Sequence, residues 1–209
     1  MLPFMTPLDV LRRSGAPLSD EVFDAMYPEW VQELSEMFWT PVAVALRATE
    51  LLVTAPGDRI LDIGSGVGKF CLVGAAASDG IFHGIEQRAE LVELAHALAS
   101  QHSWAEGRVE FRQGDMIEED LSAYEGVYLF NPFFEQTSGP WVQIDSSIKY
   151  SRETQKRYVD TVVDKLSTAR NGTRVATYFG FGADLPAGFR KIAYEQFDKG
   201  PLEVFVKED

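Results

Sequence analysis

The chain has 209 residues, 45% of them hydrophobic and 24% charged, a globular composition long enough for one well-buried core and short for two domains. Thirty-two acidic against 19 basic residues give a net charge of −13. That balance argues against DNA or RNA as the main partner, because nucleic-acid affinity draws on phosphate neutralisation by Lys and Arg. A small molecule or a basic protein suits an acidic surface better. Apolar runs such as Val127 to Phe130 are far too short to span a bilayer, so no membrane partner is expected. Leu2, Pro3 and Phe4 ahead of Arg12 and Arg13 stand in the wrong order for a secretory signal. The single cysteine, Cys71, has no partner for a disulfide, and no Cys/His cluster has metal-ligand spacing. Both suit a reducing cytoplasm and predict no metal, with Cys71 buried in a helix.

In chain order, residues 1–54 read as a helical extension. Trp30, Val31, Leu34 and Phe38 recur at helical spacing behind Pro28 and Glu29. A second helix is predicted from Thr40 as N-cap, with Pro41 at its first position and Val42, Ala45, Leu46, Thr49 and Leu52 on one face. Ala55-Pro56-Gly57-Asp58 breaks it, and residues 55–209 then read as one unit of alternating strands and helices, which predicts a parallel sheet with crossover helices. The strands are Arg59 to Ile63, Ile81 to Ile85, Arg108 to Arg112, Val127 to Phe130 and Thr173 to Phe179. Between them fall helices from Val67 to Ala77, from Ala89 to Ser100 and from Ser151 to Ala169, the last with Asn171-Gly172 as its C-cap. Val127 to Phe130 is apolar at every position, as a strand covered on both faces should be. Two extended segments, Lys191 to Phe197 and Leu202 to Lys207, flank the turn Asp198-Lys199-Gly200-Pro201 and predict a terminal antiparallel hairpin.

The first strand runs into Asp62-Ile63-Gly64-Ser65-Gly66-Val67-Gly68. Glycines between a strand and a helix let the backbone turn sharply and approach a ligand, beside unpaired N–H groups at the helix start. The dinucleotide pattern needs a further glycine where this chain has Lys69, which disfavours a nicotinamide oxidoreductase. This stretch resembles the first motif of the class I S-adenosylmethionine-dependent methyltransferases. The likeness covers about Thr40 to Phe134, and beyond that only the element order. It implies an α/β, Rossmann-like seven-stranded sheet with helices on both faces, an N-terminal extension covering the cofactor site, and S-adenosylmethionine as cofactor, released as S-adenosylhomocysteine. It also implies that Gly64 and Gly66 pass close to the methionine part, that Asp62 positions its amino group, and that Ser65 and Gly68 of the same loop are cofactor contacts.

Glu86 ends the second strand, 22 residues beyond Gly64, where a carboxylate accepts hydrogen bonds from both hydroxyls of a ribose. Gln87 stands next to the adenine edge in this reading. Asp115, after the third strand, is placed by the resemblance against the adenine amine, and Met116 packs on the ring. Thr40 and its neighbours Tyr27, Trp39 and Pro41 lie where N-terminal helices fold over the cofactor, with Thr40 a candidate contact.

The fourth strand leads into Asn131-Pro132-Phe133-Phe134. In an open α/β sheet ligands bind beyond the C-terminal ends of the strands, so these side chains face the transferable methyl group. Methyl transfer asks for alignment, exclusion of water and a neutral nucleophile. Asn131 would accept hydrogen bonds from an amine and aim its lone pair, while Phe133 or Phe134 walls the pocket. The tetrapeptide is similar to the Asn/Asp-Pro-Pro-aromatic motif of amine and amide methyltransferases but departs from it at Phe133. With Asp62 to Gly68 and Glu86, and with Asp120-Leu121-Ser122-Ala123-Tyr124, it also resembles the non-SET seven-stranded protein-lysine methyltransferases. Asn131, Pro132 and Phe133 are therefore the expected catalytic group, and an amine nitrogen, that of a protein lysine, the expected acceptor.

The long connection Glu135 to Tyr150, with Gly139-Pro140-Trp141 and Asp145-Ser146-Ser147, is expected to shape the acceptor pocket. His83 lies in a strand, and His96 and His102 ride one helix, so the histidines do not converge. The rival readings are a small-molecule methyltransferase and a non-catalytic module that keeps the cofactor loop. The number of methyl groups added and the oligomeric state are open at this stage.

Overall fold

The computed structural model describes residues 5–139 and 142–209. Leu2, Pro3, Phe4, Pro140 and Trp141, which figured in the expectations above, lie outside the described residues. Seven strands form one sheet: β1 (Arg59–Ile63), β2 (Ile81–Glu86), β3 (Val109–Gln113), β4 (Gly126–Phe130), β5 (Arg174–Tyr178), β6 (Phe189–Gln196) and β7 (Pro201–Lys207). Their order is β3-β2-β1-β4-β5-β7-β6. The first five run parallel, and β7 lies antiparallel to both β5 and β6. The expected seven-stranded α/β fold and terminal hairpin are both present. Chain direction along the sheet reverses at β1 and β4, so the crevice beyond their C-terminal ends is the switch point where such sheets bind ligands.

The period of two along each strand divides the core into two layers. Ile60, Phe82, Tyr128, Ala176 and Tyr178 face one side, where they meet α1 (Pro7–Ser14), α2 (Asp20–Asp24), α3 (Glu29–Phe38), α4 (Val42–Leu52), α5 (Lys69–Ala77) and α6 (Ala89–Ala99). Leu61, Ile63, Val127, Leu129 and Val175 face the other, against Tyr158, Val162 and Leu166 of α7 (Arg152–Ser167). Phe70 of α5 stacks on Tyr128 at 3.9 Å between ring centroids, which seats that helix on the centre of the sheet. Leu8, Phe23 and Val31 have no exposed surface. Each contributes about 1.5–3 kcal/mol of burial to hold the N-terminal helices on the core.

Several boundaries differ from those predicted, each for a tertiary reason. The helix after Thr40 starts at Val42 without the expected Thr40 cap. The Thr40 and Tyr128 hydroxyls share a hydrogen bond at 3.1 Å, and Asp20 caps instead, its Oδ1 accepting from Val42 N at 2.8 Å. The helix expected from Val67 starts at Lys69, because Gly66 and Gly68 both have positive φ, 52° and 82°. Trp30 is 38% exposed rather than buried with Val31. Helix α7 stops at Ser167, short of the predicted Asn171-Gly172 cap; Gly172 instead donates its N–H to Lys207 O and feeds β5. His102 lies past the end of α6, buried beside Asp9 at 3.2 Å, so it does not share a helix with His96.

Candidate active site at the switch point

The glycine loop leaves β1 and is pinned to the neighbouring strand, with the N–H groups of Gly64 and Ser65 both donating to Ile85 O at 2.9 and 3.0 Å. Gly64 has φ 75°, and a Cβ there would stand 3.2 Å from Pro132 Cβ. A Cβ on Gly66 would fall 2.6 Å from the Trp39 ring. These two glycines let the loop lie flat between Trp39 and Pro132. Gly68 is turned away, because a Cβ on it would meet Phe111 at 2.4 Å. Its freedom serves helix packing on β3.

Two crevices flank Gly64. One, of about 60 Å³, is lined by Glu86, Gln87, Gly114, Met116, Pro132 and Phe133. The other, of about 20 Å³, lies among Trp39, Thr40, Asp62, Ser65 and Phe130. Of the residues singled out from the sequence, these two crevices thus bring together Thr40, Asp62, Gly64, Ser65, Glu86, Gln87, Met116, Pro132 and Phe133. Asp115 and Asn131 line neither. Asp115 accepts from Ile117 N and from the Tyr158 hydroxyl at 3.1 Å. Asn131 holds a left-handed backbone, φ 35°, at the end of β4, with its N–H on Gly180 O and its carbonyl accepting from Phe134 N. That bend turns Pro132 and Phe133 back toward the crevice.

The acids differ in state. Asp62 is 4% exposed, and burial pushes its pKa up to about 8, partly offset by the Cys71 thiol donating at 3.7 Å. It has no cation within ion-pair distance among the described residues. Glu86, equally buried, accepts from Gly66 N at 3.2 Å and from Arg88 N at 3.0 Å. Ser65 contributes a buried hydroxyl without a hydrogen-bond partner.

Sequence reasoning passed over three residues. The buried Arg88 guanidinium reaches both carboxylate oxygens of Glu135 at 3.0 and 3.1 Å, the Tyr150 hydroxyl at 2.7 Å and Asp145 at 3.3 Å. It ties the connection after β4 to the end of β2 and narrows the larger crevice. Burial pushes the Glu135 carboxyl up, and Arg88 works against that shift. Tyr158 stacks on Phe133 at 5.2 Å, and Gln87 Nε2 donates to its hydroxyl at 2.5 Å. Gln87 is thus held by a tyrosine. Arg88 and Glu135 lie 47 residues apart with no local pattern joining them, and only their position after Glu86 and Phe134 marked them.

Comparison with known proteins matches the domain and the fold. Residues 54–133 match a family model described as a methyltransferase domain. No curated protein matches the chain. Among solved structures, an RNA methyltransferase from Salinibacter ruber in complex with S-adenosylhomocysteine is 23% identical, with TM-score 0.58 over 81% of this chain and 94% of that one. TrmN from Thermus thermophilus is 21% identical, with TM-score 0.57 over 80% of this chain and 49% of that one, so this chain spans about half its length. A SAM-dependent methyltransferase from Aquifex aeolicus is 13% identical, with TM-score 0.52 over 91% and 98%. At these identities the likeness is one of fold.

Proposed function

We infer that this chain, a methyltransferase by its matched domain and an S-adenosylmethionine-dependent one by domain and fold together, methylates an amine nitrogen. The observation that carries the reading is the glycine loop at the switch point, with a lone buried carboxylate on one side and Glu86 on the other.

The residues suit the cofactor. Asp62, buried without a cation, is the partner an amino group would restore to its charged form. Ser65 offers a free hydroxyl beside it. Glu86 suits ribose hydroxyls, and Met116 with Phe133 offers apolar surface to a purine. When bound, S-adenosylmethionine supplies a methyl group on a sulfonium, open to in-line attack. The chain then has to bind the acceptor, exclude water and hold the nitrogen in line. Pro132 and Phe133 wall the crevice, and Asn131 is the group proposed to accept an N–H of the acceptor and orient it.

Support for an amine comes from the polar side chain and aromatic pair that follow β4, and from the net charge of −13, which draws cations. A protein lysine is one such acceptor, a free amine another. A second reading, RNA as acceptor, rests on one similar structure described as an RNA methyltransferase. The two are separated by incubating the protein with tritiated-methyl cofactor and whole-cell lysate, then dividing the products into protein, RNA and small molecules. Label in the protein or small-amine fraction is the expected result. Label confined to RNA would replace the amine reading.

Among the described residues no helix is long and apolar enough to cross a membrane.

A further inference from the structure

On the far side of Trp39 from the glycine loop lies a cavity of about 380 Å³. The rings of Trp39, Tyr178 and Phe197 stand in its wall, and Asp20, Asp24 and Asp198 contribute carboxylates. Two of these acids are answered internally, since Lys69 Nζ lies 2.6 Å from Asp20 and 2.7 Å from Asp24. Glu36, at the rim, has Lys199 at 3.6 Å. Asp198 has no ion-pair partner among the described residues. Four carboxylates therefore face two ammonium groups, and the imbalance is on the exposed side.

A second observation is independent of charge. Tyr178, at the end of β5, has no exposed surface, yet its hydroxyl has no hydrogen-bond partner. A buried hydroxyl left unpaired is costly, and its neighbours here are the cavity and the charges of Asp198 and Asp20. Burial and those two charges hold the phenol above the usual tyrosine range, so it stays protonated and its oxygen remains an acceptor.

We propose that this cavity is the methyl-acceptor pocket and that it takes a primary alkylammonium group, from a lysine side chain or a free amine. The cation lies against the faces of Trp39 and Phe197, with Asp198 as counter-charge and the Tyr178 oxygen accepting one N–H. The proposal rests on the reading that the glycine loop holds the sulfonium donor. One wall is shared between the cavity and that loop, and a second pair of rings joins them. Trp39 also lines the crevice at Asp62 and Gly64, and Phe130 of that crevice lies 5.1 Å from the Tyr178 ring. In the reaction the ammonium first gives one proton to water. The nitrogen lone pair then forms the bond to the methyl carbon as the carbon–sulfur bond breaks, and that electron pair stays on sulfur as a neutral thioether.

The test is calorimetric titration of the full-length protein with n-butylammonium chloride, Nα-acetyl-lysine amide and n-butanol, each with and without S-adenosylhomocysteine. Asp198→Asn alters an exposed side chain and Tyr178→Phe removes only an oxygen, so both variants should melt like the wild type. Both ammonium compounds are expected to bind, with n-butanol about tenfold weaker or worse. Asp198→Asn is expected to raise their Kd about fivefold and Tyr178→Phe about threefold, while S-adenosylhomocysteine affinity stays the same. Binding of the lysine derivative without n-butylammonium supports the pocket and assigns it to protein lysine. Equal binding of n-butanol, unchanged Kd in both variants, or no binding of either ammonium at millimolar concentration while S-adenosylhomocysteine binds would overturn the pocket and leave the donor site standing. Failure of S-adenosylhomocysteine to bind while the ammonium compounds do would leave a cation site, and the proposal would fall with the reading beneath it.

Discussion

Asp62 is a carboxyl group held where carboxylates are least stable, fully enclosed and countered only by a thiol. Its pKa lies at about 8 in the folded chain against 3.8 unfolded. The folded protein therefore keeps a proton that the unfolded chain releases, and stability falls as pH rises between those two values. Asp62→Asn cannot titrate, so its melting temperature should stay flatter than that of the wild type from pH 5 to pH 8. The same carboxyl must ionise to receive an amino group. S-Adenosylhomocysteine is expected to bind the wild type more tightly as pH approaches 8, by up to about tenfold per unit, and to bind Asp62→Asn weakly and without that slope. A variant with the wild-type slope would show that another group titrates. Asn131 and Phe179 hold φ of 35° and 61°. Left-handed backbone costs a non-glycine residue about 1–3 kcal/mol and persists where the surroundings demand it. Both residues end central strands on the edge that carries the two crevices.

At the scale of elements, the connection from β4 to α7 is governed by one arginine. Arg88 sits two residues past β2 and gathers Glu135, Asp145 and Tyr150 from that connection while its own N–H bonds Glu86. Removing one partner of a buried ion pair costs about 3–5 kcal/mol, because the other is left buried and uncompensated. Arg88→Ala should lower the melting temperature by about 10 °C. Cleavage by trypsin at the exposed Lys149 should become several-fold faster than in the wild type, and S-adenosylhomocysteine should slow it in the wild type only. Equal cleavage rates in the two proteins would show that the connection is held by other contacts. The N-terminal helices are governed in the same way from a distance. Asp20 caps α4, Lys69 of α5 binds Asp20 and Asp24, and the Tyr27 hydroxyl donates to Val67 O at 2.6 Å, so the extension grips the glycine loop itself.

For the molecule as a whole, a charge of −13 sets up a field that gathers cations and repels polyanions. Salt shortens the reach of that field from about 30 Å at 0.01 M to about 3 Å at 1 M. With an alkylamine acceptor, kcat/KM is expected to fall as sodium chloride is raised through that range. An RNA acceptor would show the opposite trend at low salt, because screening relieves repulsion before it weakens phosphate contacts. A rate with the amine that does not change with salt would place the acceptor chemistry outside the reach of that field.

The alternation of strand and helix, the terminal hairpin and the glycine loop between carboxylates were legible in the residues alone, because periodicity, turn chemistry and spacing are local properties. Thr40 shows the limit of that reading. Its type and place suit a helix cap, yet Tyr128, 88 positions away, takes the hydroxyl and Asp20 takes the cap. The role of Asp115 came from the resemblance alone, and its hydrogen bond from the Tyr158 hydroxyl, 43 positions away, had no local sign in the sequence. The Arg88 cluster and the cavity between Trp39, Tyr178 and Phe197 were decided only when the sheet order brought distant segments together. Side chains far apart in the chain carry no pattern that names their partners; the parallel pairing of β1 with β2 and β4, and the antiparallel pairing of β5 with the hairpin, are what set them face to face.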